Sequence, residues 1–447
     1  MSFIENCRTL IGYDSSPGQS NLSMLTWLKE QAEKKDLLVE IQSTVFDQIE
    51  QGNIIIRTKA PRAEADFLLQ THLDTVNPGP FQAWKRTGYN PFDATIVEGS
   101  MYGLGVADAK LDFLCKLSAI SEFANRQDFK LSPVLVGTFG EQTGMAGSMR
   151  LIRKNLVNPR FALVGEPTNL KLVNATKGFA CVEIRLPFSA DEIRYRQEHN
   201  LRESTSTQTQ MFIGKPTHSG NPDKGESAIL KMLDYLDNMP DGVAIMEIDG
   251  GTNYNTVPSH AMIEMDVSPL SSSVTAQIKK IHQALKKLEI EFRSIKDPSF
   301  DPPHSTLNIG LIRTFEDHIL MMGNCRLPPN VTQNTYMAWM DQLKSQCEEI
   351  GVTFRVIDYK KPFRTPPESV FLRGGLSLLR EMQLSDQAIS QPTTNESSLF
   401  ARLGADCLCF GPGQREGNIH TPEESVKIDD LHRATQFYAS MIERFSI

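Results

Sequence analysis

Helix-like and strand-like stretches alternate along most of this chain. The apolar run Phe67-Leu68-Leu69 reads as a buried strand, and similar runs near residues 53–57, 134–139 and 405–410 read the same way. Between and around them, helix-period stretches are predicted near residues 21–35, 111–126, 146–156, 370–382 and 429–445. The alternation predicts an α/β fold in which a mixed, mostly parallel sheet is covered by helices and carries its ligands at strand ends. It runs from residue 1 to about 177 and resumes from about 363 to 447. Candidate site residues come from both stretches, so 1–177 and 363–447 are expected to form one discontinuous domain around an inserted domain, 178–362.

The inserted segment has its own pattern. Residues 243–248, 261–267, 274–287 and 291–295 read as strand, strand, helix, strand, and the order recurs at 306–313, 318–325, 333–349 and 352–357. Two readings stay open: an internal duplication, or one α+β unit with an unrelated insertion.

Length and composition narrow the class. A chain of 447 residues exceeds what one core usually supports, and 40% hydrophobic with 22% charged residues is ordinary for a globular protein. A net charge of -8, with no basic stripe or aromatic platform, argues against nucleic acid as a partner. No continuous run is long enough to span a membrane, and the opening Met-Ser-Phe-Ile-Glu-Asn-Cys lacks the charged and apolar regions of a secretory leader. Seven irregularly spaced cysteines favour reduced thiols, and so a cytoplasmic location. Cys407-Leu408-Cys409 reads as part of a buried strand rather than a metal site.

Candidate chemistry sits where the predicted strands end. His72 follows a strand, and Asp74 lies two residues on, close enough to orient its imidazole. Asp108 closes the glycine-bearing stretch Gly103-Leu104-Gly105-Val106-Ala107; as a bland alternative it would be a helix N-cap. Glu141 follows the 134–139 strand, where a carboxylate can act as general base or can simply favour a helix start. Glu166 stands in Gly165-Glu166-Pro167-Thr168, and His420 follows Gly411-Pro412-Gly413; each could be an ordinary loop residue.

Taken in order, these elements resemble the co-catalytic metallopeptidase family that includes acetylornithine deacetylase, succinyl-diaminopimelate desuccinylase, aminoacylase and carboxypeptidase G. The resemblance spans nearly the whole chain. It implies that His72, Asp108 and Glu166 hold one metal, that Asp108 bridges, and that His420 helps hold a second. Glu141 falls on the general base and Asp74 on the partner of His72. Zinc suits these donors, with cobalt as a substitute. One departure matters: the second glutamate of the family's Glu-Glu pair falls on Gln142, so the second site is expected to be weak or empty.

Residues 178–362 correspond by the same resemblance to a lid or dimerisation domain. His218, in Gly214-Lys215-Pro216-Thr217-His218-Ser219-Gly220, would stabilise the developing oxyanion of a neighbouring subunit's site. Asn255, in Gly250-Gly251-Thr252-Asn253-Tyr254-Asn255, matches a substrate contact. The arginine expected after Met265-Asp266-Val267 is missing, since Ser268 follows, and Arg326 in Asn324-Cys325-Arg326-Leu327-Pro328 takes its place as a carboxylate clamp. Thr394, in Thr394-Asn395-Glu396, falls where the family carries a substrate-side stretch. The implied function is metal-dependent hydrolysis of the amide of an N-acyl amino acid or small dipeptide. The Gln142 change keeps a second reading open, a non-catalytic relative that binds an amino-acid-like ligand or a protein. A homodimer is implied by the lid, and a monomer if the lid is duplicated.

Overall fold

The computed structural model describes residues 2–198, 208–240, 243–267 and 273–447, which divide into two compact units. The first comprises Met1–Ala175, Phe363–Ser390 and Asn395–Ile447. Its sheet runs in the order Leu38–Phe46, Ile49–Arg57, Ser132–Thr138, Asp66–His72, Pro159–Gly165, Asp406–Phe410, Val173–Thr176 and Phe363–Arg364. The four strands from Ser132–Thr138 to Asp406–Phe410 are mutually parallel, with His72 level with Thr138 and Phe410 level with Gly165.

Why the middles of these strands are apolar on both faces follows from their cover. Asp66–His72 and Ser132–Thr138 are buried along their whole length, as parallel strands with helices on both faces must be. Side chains alternate between two cores. Phe67, Leu69, Leu135, Leu163, Leu408 and Phe410 join the larger one, while Leu68, Val134, Val136, Val164, Cys407 and Cys409 join the smaller. The larger core is closed by the helix Ile428–Ser446, whose Leu431, Ala434, Phe437, Tyr438, Met441 and Ile442 make one apolar stripe. Cys407 and Cys409 are thus packing residues, and all seven cysteines are buried and unpaired.

The second unit comprises Thr176–Pro362 and Gln391–Thr394. One antiparallel sheet orders its strands as Gln208–Ile213, His260–Val267, Val243–Gly250, Thr306–Thr314, His318–Leu327, Gly178–Pro187 and Thr353–Lys360. Helices Ala228–Asp237, Ser273–Ser294 and Gln333–Glu348 supply its core together with the sheet.

One expected element is corrected. Residues 291–295 are not a strand, because the helix Ser273–Ser294 runs through them with Leu285, Leu288 and Phe292 buried at helical spacing. Of the two expected strand, strand, helix, strand sets, the first therefore stops one element short and the repeat is partial. The sets share a continuous sheet, joined where Asp249 and Gly250 pair with Arg313 and Ile312. Among the described residues no helix is long and apolar enough to cross a membrane.

Candidate metal centre

The candidate residues of the first unit gather at the carboxyl ends of its four parallel strands, where doubly wound sheets bind ligands. His72 ends its strand with Nδ1 3.0 Å from the carbonyl oxygen of Asp74 and 3.7 Å from that residue's carboxylate. Its Nε2 is 3.3 Å from Oδ1 of Asp108. The other oxygen of Asp108 lies 2.8 Å from Nε2 of His420 and accepts the side-chain N–H of Gln142 at 3.2 Å. One carboxylate thus stands between two imidazoles. Asp108 is not a helix N-cap, since that position belongs to Ala109.

Asp74 does more than orient His72. Its two oxygens accept the backbone N–H groups of Glu141 at 3.1 Å and Gln142 at 3.0 Å, fixing the loop after Ser132–Thr138 beside the imidazole. Glu166 belongs to the same charged cluster, but its carboxylate is paired with the guanidinium of Arg415. Direct contact therefore unites His72, Asp108, His420 and Gln142, while Glu166 is held by a cation that the sequence reading passed over.

Two glycines explain how the ligand loops interlock. A Cβ on Gly413 would stand 2.6 Å from the carbonyl oxygen of Ala107, and one on Gly411 would strike the carbonyl oxygen of Glu166. The Gly-Pro-Gly turn lies against the backbones of both neighbouring ligand loops, and only glycine permits that approach. Thr168 adds hydrogen bonds in both directions with Gly411.

Two supporting groups were missed in the sequence, and a third, Glu396, was read only as the end of a substrate-side stretch. Glu424, four residues after His420, accepts the backbone N–H groups of Gly105, Ala107 and Asp108 at 3.3, 2.8 and 3.0 Å. Glu396 is buried and accepts the hydroxyls of Thr138 at 2.8 Å and Ser148 at 2.6 Å, together with the Gln70 amide. Asp112 and Lys116, one helical turn apart, form a buried 2.7 Å pair. Lys116 also donates to the Gln70 carbonyl and the Thr71 hydroxyl, and Tyr438 donates to Asp112. The i,i+4 spacing was a legible signal for that last pair, while the Thr394-Asn395-Glu396 stretch gave no sign that Glu396 would be bound by hydroxyls and an amide.

Electrostatics follow from crowding acids away from water. Burial, then neighbouring Glu166, Glu396 and Asp74, lifts Glu141 well above the usual carboxylate range. Burial raises Glu166 to about 7, with Asp108 and Glu396 adding to the rise and Arg415 opposing it. Burial also opposes ionisation of Asp108, but the hydrogen bonds of His420 and His72 outweigh it and hold this carboxyl well below its ordinary value. Burial works against a charged His72, and Asp108, Glu141 and Asp74 overcome it, raising the imidazole well above its usual range.

Two imidazole nitrogens around a shared carboxylate are the donor chemistry of zinc and similar divalent ions. The buried carboxylates of Asp108 and Glu166 and the half-buried ones of Asp74 and Glu141, set against the guanidinium of Arg415, also call for added positive charge. The residues therefore fit a metal. A second acidic group, Asp234, Asp237 and His282 of the other unit, does not fit as well. His282 turns Nδ1 to Asp237 at 2.9 Å and Nε2 to Asp234 at 3.8 Å, and Lys286 lies 2.7 and 3.1 Å from these acids. Ring nitrogens facing different carboxylates, with an ammonium between them, make an ion-pair network rather than a chelate.

The second unit gathers the remaining candidates. Arg326 donates to the Thr394 hydroxyl at 3.3 Å and lies over the Phe179 ring at 4.7 Å. Asn324, two residues earlier on the same strand and so on the same face, donates to the Asn255 side chain at 3.3 Å. His218 is exposed, and its Nδ1 accepts the N–H of Gly220 at 3.0 Å, so a neutral ring carries its proton on Nε2. The N–H of Ser219 donates to the Asn255 carbonyl at 2.9 Å, tying the His218 loop to that of Asn255. Ser268 lies outside the described residues.

An α/β unit with clustered imidazoles and carboxylates at its strand ends, accompanied by an antiparallel α+β unit, defines a metal-dependent hydrolase. The description "Peptidase family M20/M25/M40" matches residues 68–444, and the chain belongs to that family. It is an enzyme acting on amide bonds. It is 23% identical over 449 residues to an acetylornithine deacetylase of Myxococcus xanthus, covering 98% of this chain and 95% of that one. Among solved structures it is similar to a metallo-carboxypeptidase of Sulfolobus solfataricus, with TM-score 0.64, 17% identity and coverage of 100% and 99%. An aminoacylhistidine dipeptidase of Vibrio alginolyticus gives TM-score 0.63 and 14% identity, with coverage of 99% and 96%.

Proposed function

We propose that this chain hydrolyses the amide of an N-acyl amino acid or a small dipeptide, with Glu141 as the proton-transfer group and zinc as the metal. The supporting observation is the double role of Asp74. The same residue that meets His72 also accepts the backbone amides of Glu141 and Gln142, so the main chain of Glu141 is fixed by the partner of His72, and its carboxylate charge bears on that imidazole. A bound metal would supply Lewis acidity to the scissile carbonyl and make its attacking water more acidic.

The residues divide the remaining work. His72, Asp108, Glu166 and His420 would hold metal, with Gln142 a neutral and weaker donor. Glu141 takes the proton from water and returns it to the leaving amine. His218 of a neighbouring subunit would donate its Nε2–H to the oxyanion, and Arg326, with Asn255 and Thr394, would bind the substrate's carboxylate end. The full-length likeness to an acetylornithine deacetylase supports the N-acyl branch, and a cytoplasmic setting is consistent with that chemistry.

The test is hydrolysis of a panel of N-acetyl and N-succinyl amino acids and dipeptides by metal-stripped protein titrated with zinc or cobalt. Activity should return with metal, and Glu141→Ala should lose turnover while retaining metal. Turnover by that variant would reject the role of Glu141.

A further inference from the structure

The loop from Gly413 to His420 carries one group that a metal centre does not ask for. Arg415 is charged at every relevant pH and sits among acids. It contacts Glu166, and Asp108 and Glu141 add to the field that favours its charge. Its side chain is 28% exposed, and its Nε is buried with no hydrogen-bond partner, so the guanidinium is held by attraction to these carboxylates rather than by a full set of hydrogen bonds.

Gln142 acts in the same sense from the other side. Its amide N–H donates to Oδ2 of Asp108, the oxygen that His420 also approaches. That oxygen therefore receives a neutral donor where a second cation would need an anionic ligand, and Glu166 receives a cation. Both features reduce the negative charge open to metal around one shared carboxylate.

We propose that Arg415 is a built-in cation that, by holding Glu166, takes the place of one of the two metal ions such a cluster could hold, so that the centre binds one divalent ion tightly and uses the guanidinium as its other fixed positive charge. This rests on the reading of the cluster as a metal centre and concerns how many ions it holds, which is separable from whether it turns substrate over.

Equilibrium dialysis with zinc and elemental analysis tests it, with thermal melting as a check on folding. Wild-type protein should saturate near one equivalent. Gln142→Glu combined with Arg415→Met should bind two, and Gln142→Glu alone should hold the second ion at least tenfold more weakly than the double variant. Gln142→Glu with Arg415→Lys, which keeps the charge, should stay near one; should the methionine variant not fold, Arg415→Gln replaces it. Two tight ions in wild type, one ion in the double variant, or equal second-ion affinity with and without Arg415 would each overturn the proposal. No binding in any variant would overturn the metal reading as well.

Discussion

Glu424 holds Asp108 by its main chain: one carboxylate oxygen accepts the N–H of Asp108 at 3.0 Å and that of Ala107 at 2.8 Å, while the other accepts Gly105 at 3.3 Å. The carboxylate that stands between the two imidazoles is thereby aimed from behind, by a residue that touches none of the donors a metal would use. Replacement by glutamine keeps one acceptor oxygen and turns the other into a donor facing an N–H. Glu424→Gln is expected to weaken metal binding about 10- to 100-fold, the usual cost of losing outer support. Chelator competition measures this, and unchanged affinity with an unchanged melting point would remove Glu424 from a positioning role.

The same residue makes a pH prediction. Burial, with Asp108 adding to it, raises Glu424 to about 7 from an ordinary 4.5, against the pull of three amide donors. Between those values the folded chain holds a proton that the unfolded chain releases, so this contribution to stability is full below pH 4.5 and is lost as pH rises through 7. Glu166, raised to about 7, acts in the same direction. Metal-free protein should melt at a lower temperature at pH 7.5 than at pH 5, with a smaller difference in Glu424→Gln. An equal difference in both proteins would assign the effect elsewhere.

Lys116 and Asp112 lie beneath the strand ends with 0% and 2% of their side chains exposed. Removing one partner leaves a buried charge uncompensated, which typically costs about 3–5 kcal/mol. Lys116→Met should show a loss of that order in chemical denaturation, partly restored by adding Asp112→Asn. A loss below about 1 kcal/mol would mean that water reaches the pair.

Arg326 should report on the substrate's carboxylate. Losing a charge-assisted hydrogen bond worth about 1.5–3 kcal/mol predicts that Arg326→Ala raises KM roughly 10- to 100-fold with kcat little changed. Substrates amidated at that carboxylate should lose the difference between the two proteins. A fall in kcat alone would point to the chemical step instead.

Most of the architecture was legible because both periodicities are strong. Phe67-Leu68-Leu69 is apolar on both faces, and the 429–445 stretch carries an unbroken helical stripe. Residues 291–295 were misread because Glu291, Phe292 and Arg293 alternate over a window too short to distinguish strand from the end of a long helix. His72, Asp74, Asp108 and Glu141 could be singled out because residue types suited to metal and proton chemistry stood after strands or at the close of a glycine-bearing stretch, and the structure gathers them at one end of the sheet. Glu424 and Arg415 did not. Each works through a partner more than 200 residues away, and no local pattern encodes such a distance.

Asp108 meets His420 across 312 residues and Glu424 across 316, with the whole second unit encoded between them. During synthesis, His72, Asp108 and Glu166 emerge long before the segment that wedges Gly411 and Gly413 against their loops. An early fragment would carry His72, Asp108 and Glu166 and none of the closure, so on the proposed reading metal capture would follow the joining of the discontinuous unit.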